Sequence, residues 1–166
     1  MAKEKFSFDI VSDVDMQEVD NAIQQAKKEL GNRYDFKGSK STIEYNREEK
    51  KITLVTPDDF KLRSLKDIVL TRIVKRGISP KALDFSEPEK VFSGHLKLEA
   101  LITTGIEKEK ARELVKIIKN LGLKVQSQIE GEKVRVFAPK KDDLQTVMQH
   151  LKDLDFSIPL HFNNYR

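Results

Sequence analysis

Cysteine is absent from all 166 residues of this chain. That excludes disulfides, thiolate metal sites and a cysteine nucleophile together. No apolar run approaches the ~18 residues that a membrane-spanning helix needs, and the N-terminus lacks a signal-peptide core. Also missing are the G-x-S-x-G turn of a serine hydrolase and the G-x-x-x-x-G-K-S/T spacing of a nucleotide-hydrolysing loop. His95, His150 and His161 do not stand at metal-ligand spacing on one element. The pairs Asp58-Asp59 and Asp142-Asp143 fall in the first turns of expected helices, where capping accounts for them. These absences predict a non-catalytic, cytoplasmic protein with no cofactor, no metal and no membrane association.

Charge, by contrast, is plentiful. Charged residues make up 35% of the chain, and 31 Lys and Arg face 27 Asp and Glu, a net +4. This is a solvated globular composition with a mild lean toward a polyanionic partner.

The two halves also repeat each other. Residues 51–67 run as a strand, Pro57, Asp58-Asp59 and an amphipathic helix containing Leu65-Lys66-Asp67. Residues 133–153 run as a strand, Pro139, Asp142-Asp143 and a helix ending Leu151-Lys152-Asp153. Upstream, helices ending Leu30-Gly31 and Leu121-Gly122 correspond as well. A repeat of half the chain predicts two domains, 1–89 and 90–166, with a linker over 78–90.

Phe6–Ile10 alternates apolar and polar residues, the period of a half-buried strand. Asp13 or Asp15 can cap a helix with Val19, Ala22, Ile23 and Ala26 on one face and Gly31 as its stop. Arg33–Phe36 reads as a short extended piece, and 42–46 with 51–56 as a hairpin. Thr56 and Pro57 are the expected cap and first residue of a helix with the stripe Leu62, Leu65, Val69 and Ile73. A weak strand near 83–85 and a long one over 95–102 follow, then a helix over 106–121. Strands over 124–129 and 133–138, a helix over 142–154 and a strand over 158–162 complete the pattern.

Each half therefore reads βαββαβ. This predicts an α+β protein of tandem duplicated ferredoxin-like, RNA-recognition-like domains, each an antiparallel sheet with helices on one face. Alternation turns Phe8, Ile10, Leu98, Ile129, Val134 and Val136 toward the helices. It turns Ser7, Asp9, Lys97, Lys124, Gln126, Gln128, Arg135, Phe137, His161 and Asn163 toward water.

That open face is the candidate nucleotide or nucleic-acid surface. Lys124, Arg135 and Lys97 can meet phosphates, Gln126, Gln128 and Asn163 can pair with base edges, and Phe137 and His161 can stack on bases. The aromatic-rich strand of RNA-recognition domains is missing, because 51–56 has no aromatic and 133–138 only Phe137. High-affinity reading of a specific RNA sequence is therefore not expected. Away from the sheet, Lys37-Gly38-Ser39-Lys40-Ser41 offers Lys37 and Lys40 as further phosphate contacts.

The chain resembles the YajQ family of bacterial nucleotide-binding proteins. The likeness rests on Ser7–Asp15, Arg33–Lys37, Lys75–Ile78, Lys124–Ile129, Val134–Val136, Lys141–Gln145 and Phe162–Arg166, in this order. It implies tandem domains that exchange N-terminal strands, with 6–11 completing the second sheet and 95–102 the first. It also implies binding of nucleotides, transfer RNA or, in some members, cyclic di-GMP with effects on transcription. No ligand residue is carried over from the family. The resulting expectation is a nucleotide or RNA binder using the open faces and the interdomain crevice. The alternative is a protein-interaction or transcription-cofactor module, with a protein partner, switched by a nucleotide.

Overall fold

The computed structural model describes residues 6–166. Its elements are β1 (Phe6–Val11), α1 (Met16–Asn32), β2 (Thr42–Asn46), β3 (Lys51–Thr56), α2 (Asp59–Lys75), β4 (Leu83–Phe85) and β5 (Glu89–Lys90). They continue with β6 (Leu96–Ile102), α3 (Lys108–Lys119), β7 (Gln126–Glu130), β8 (Lys133–Ala138), α4 (Lys141–Asp153) and β9 (His161–Asn163). Among the described residues the fold is α+β, with two antiparallel sheets and four helices, compatible with tandem ferredoxin-like domains. It forms two compact units, Val14–Thr103, and Thr104–Arg166 together with the N-terminal residues through Asp13.

In the continuous unit the sheet order is β2-β3-β6-β4, with β5 also pairing to β6. The α1 stripe Val19, Ala22, Ile23 and Ala26 and the α2 stripe Leu62, Leu65, Val69 and Ile73 bury against Ile43, Ile52, Leu54, Leu98 and Ala100. The three- and four-residue spacing makes each stripe one helix face. Each fully buried Leu or Ile contributes about 1.5–3 kcal/mol.

Three local features differ from the sequence expectation. Helix α1 is capped by Asp15, whose carboxylate accepts from Gln17 N at 3.0 Å, but it runs through Gly31 to Asn32. Residues Tyr34–Phe36 form a 3-10 turn instead of an extended piece. Helix α2 is capped by Asp58, which accepts from Lys61 N at 2.8 Å. Thr56 cannot serve as that cap: it remains in β3, opposite Leu96, and its hydroxyl is bound to Ser41.

In the discontinuous unit the sheet order is β7-β8-β1-β9. Helix α3 contributes Ala111, Leu114 and Ile118, and α4 contributes Leu144, Val147 and Leu151, to a core with Phe8, Ile10, Val134 and Val136. Phe8 and Phe162 meet edge-to-face at 5.6 Å on this covered side. Gly131 turns the β7–β8 hairpin at φ 60°, a left-handed conformation that glycine adopts without strain. The final strand is shorter than expected, because Ile158 and Pro159 are buried outside the ladder and pairing begins at His161.

Ile129, expected to face the helices, is 36% exposed, since β7 is the margin of its sheet. The larger departure is Asp9. Alternation assigns it to the open side, yet it is only 1% exposed, and the reason is its partners.

Candidate nucleotide-binding face

The open side of the discontinuous sheet is organised in cross-strand rows. Gln128 lies opposite Arg135, Arg135 opposite Asp9, and Asp9 opposite Asn163, so one row crosses all the strands of the sheet. In the next row Gln126 faces Phe137 and Phe137 faces Ser7. His161 stands opposite Val11, and Glu130 opposite Lys133. Neighbouring strands in such a ladder bring directly opposed Cβ atoms to roughly 4.5–5.5 Å, so these side chains form one surface.

Asp9 is the hub. Arg135 donates to it from Nε at 2.7 Å and from Nη2 at 3.3 Å, Lys133 from Nζ at 3.2 Å, and Asn164 from Nδ2 at 2.8 Å. The Arg135 guanidinium does most to hold the Asp9 carboxyl well below the usual carboxylate range, more than offsetting burial, which acts the other way. The same contact raises the affinity of Arg135 for its proton. Arg135 also lies 3.6 Å from Glu130.

Arg135 is therefore committed to carboxylates, and Lys133 is committed to Asp9. Among the described residues Lys124, exposed on the bend that precedes β7, has no ion-pair partner. The same sheet side carries the exposed amides of Gln126 and Gln128 on β7, the half-buried Phe137 on β8 and, at the opposite margin, the exposed Asn163 and His161 on β9. Such a surface is rich in amides and nearly balanced in charge. Its chemistry suits base edges, which need paired donors and acceptors, better than it suits phosphates.

Lys133 and Asn164 were not singled out from the sequence. Asn164 follows Asn163, so strict alternation would turn it to the covered side. Instead it adopts φ 53°, a left-handed conformation tolerated by asparagine, and its amide reaches Asp9. Past that bend, Ser7 and Arg166 exchange backbone hydrogen bonds at 3.2 and 2.9 Å, holding the last residue beside β1.

The remaining candidates lie in the continuous unit. Lys97 is on the open side of its sheet, opposite Val55 and Glu89, with Glu89 at 3.7 Å. That face also carries Lys51 bound to Glu99 at 3.1 Å and to Glu49 at 3.4 Å, so its cations are paired. Lys37 and Lys40 are exposed in the turn between the 3-10 turn and β2. Among the described residues no cluster of His, Asp and Glu could hold a metal ion. No helix among them is long and apolar enough to cross a membrane.

A family profile described as "Nucleotide-binding protein YajQ-like" matches residues 6–166. The chain belongs to the YajQ-like family. A relative named nucleotide-binding protein from Endomicrobium trichonymphae is 52% identical over 98% of this chain and 99% of its own length. One of the same name from Enterococcus faecalis is 47% identical over the full length of both. Another, from Chloroherpeton thalassium, is 47% identical over 97% of this chain and 98% of its own. Of the segments that carry the YajQ likeness, Lys124–Ile129, Val134–Val136 and Phe162–Arg166 run through the open face just described.

Proposed function

We propose that this protein is a non-catalytic, cytoplasmic binder of a nucleotide or of RNA, whose ligand lies on the open face of the discontinuous sheet. Gln126, Gln128 and Asn163 read base edges, Phe137 and His161 stack, and Lys124 meets a phosphate. The observation that carries the reading is the row arrangement, which sets exposed amides beside Phe137 on the sheet side opposite the core that α3 and α4 cover. The names of the relatives point the same way. Arg135 acts through Asp9: it holds the sheet face in shape and leaves direct phosphate contact to Lys124.

The same reading takes the two units as copies of one ferredoxin-like plan, with halves 1–89 and 90–166 exchanging first strands. It is supported by β1 pairing with β8 and β9 and by β6 pairing with β3 and β4.

The test is titration of the full chain with mononucleotides, a cyclic dinucleotide and transfer RNA at two salt concentrations. Binding should weaken with salt, as expected where phosphate contacts contribute. Phe137→Ala should cost about 1–3 kcal/mol, the usual worth of stacking on one base. If no ligand of the panel binds, or Phe137→Ala and Gln126→Ala bind as wild type does, the proposal fails.

A further inference from the structure

The continuous unit contains a hollow of 660 Å3 where the C-terminal end of α1 meets the turn leading to β2. Its wall includes Lys27, Arg33, Tyr34, Lys37, Ser39 and Ser41. Arg33 is spoken for: it donates to Asp35 at 2.9 and 2.8 Å and lies 3.5 Å from Glu29. Lys27 and Lys37 have no ion-pair partner among the described residues, and neither has the adjacent Lys40. Like charges gathered without a counterion repel one another, so an anion in the hollow would be favoured by all of them. The carbonyl end of α1 opposes this with about half a negative charge, less than a single lysine supplies.

The hollow is held from beneath. Ser39 Oγ donates to Phe36 O at 2.7 Å and lies 2.9 Å from Ser41 Oγ, which lies 2.7 Å from Thr56 Oγ1. Thr56 is fully buried at the end of β3, so this hydroxyl chain roots the turn in the sheet. With those hydroxyls occupied by one another, the lysine ammonium groups and the Asn32 amide remain as side-chain donors. The backbone N–H of Gly38 and of Lys40 also has no backbone partner among the described residues. Tyr34 stands at the rim, 88% exposed. An exposed ring beside unpaired cations supplies both parts of a nucleotide contact, a stacking surface and a phosphate seat.

We infer that this hollow is a second ligand site, in which Lys27 and Lys37 seat the phosphate of a nucleoside phosphate and Tyr34 stacks on its base. The inference rests on the reading of the protein as a nucleotide binder but uses a different surface. A free nucleotide and the terminal phosphate of an RNA share this chemistry, and the test separates them.

The full chain is titrated with GMP, AMP, inorganic phosphate and a short RNA bearing or lacking a 5′-phosphate, for wild type, the double variant Lys27→Ala/Lys37→Ala, Tyr34→Ala and Phe137→Ala. The substituted side chains in the hollow lie at its surface, and unchanged circular dichroism checks that folding is kept. The double variant should bind the mononucleotides at least tenfold more weakly. Tyr34→Ala should weaken mononucleotides severalfold while leaving inorganic phosphate unaffected, and Phe137→Ala should leave this site intact. A 5′-phosphorylated RNA that binds more tightly than both mononucleotides and than the unphosphorylated RNA, and loses that advantage in the double variant, assigns the site to RNA ends, and tighter binding of the mononucleotides assigns it to free nucleotides. Mononucleotide binding that is lost in Phe137→Ala and untouched in the double variant overturns the inference while sparing the open face. No binding of any nucleotide or RNA to wild type overturns both.

Discussion

Asp9 on β1 and Arg135 on β8 are direct cross-strand partners, joined by two hydrogen bonds from one guanidinium to one carboxylate. Lys133 and Asn164 complete the shell around that carboxylate. A carboxylate this well served costs little to bury. Removing its charge leaves Lys133 without its counterion and Arg135 with Glu130 alone.

Asp9→Asn should therefore destabilise the discontinuous unit by about 2 kcal/mol, the order expected when one member of a largely buried pair is lost. Urea denaturation followed by tryptophan-independent circular dichroism measures it. A change below about 0.5 kcal/mol would show that the pair contributes little beyond what an exposed pair would.

Acid should act through the same residue. The folded-state pKa of Asp9 is depressed, so its contribution is fully present above the unfolded value of roughly 3.9 and is lost as pH falls toward the folded value. Wild-type stability should fall below about pH 4, and Asp9→Asn should lose part of that fall. Parallel acid limbs for the two proteins would exclude Asp9 as a main contributor.

Strand β1 lies between β8 and β9, so both of its edges are paired. A chain beginning at Val14 should keep the sheet of the continuous unit and lose that of the discontinuous one. Amide NMR spectra should show dispersed signals for 14–103 and collapsed signals for 104–166. Retained dispersion in the second set would refute this dependence.

Gly105 has φ +83°, and a Cβ there would collide with the Glu132 carboxyl. Gly105→Ala should destabilise by about 1–3 kcal/mol through left-handed strain and the displaced side chain. The carboxyl can move, so strain should dominate, and adding Glu132→Ala should recover only a minor part. Full recovery in the double variant would mean that the collision was the larger effect.

Helix faces and strand alternation were legible because they are local periods: Val19-Ala22-Ile23-Ala26 and Lys133–Ala138 declare their buried sides directly. Alternation also sorted Gln126, Gln128 and Asn163 to the exposed side. It says nothing of which strand lies next to which, and Asp9 and Arg135 are 126 positions apart. The strand exchange that the family resemblance implies sets Asp9 beside Arg135, whereas the burial of that pair and the reach of Asn164, which depends on one left-handed bend, were hidden. Local competition explains the smaller misses. The Arg33–Asp35 ion pair spans the first residues of the 3-10 turn, and Thr56 is drawn to Ser41, which leaves Asp58 to cap α2.

Ser7 and Arg166 clasp each other's backbone, and β1 depends on partners made from the last stretch of chain. On a ribosome, where synthesis runs from the N-terminus, residues 14–103 can close as soon as they emerge. Strand β1 must wait, edges bare, until β8 and β9 have been made. A pause before β9 emerges would prolong that exposure and make the nascent chain more prone to aggregate.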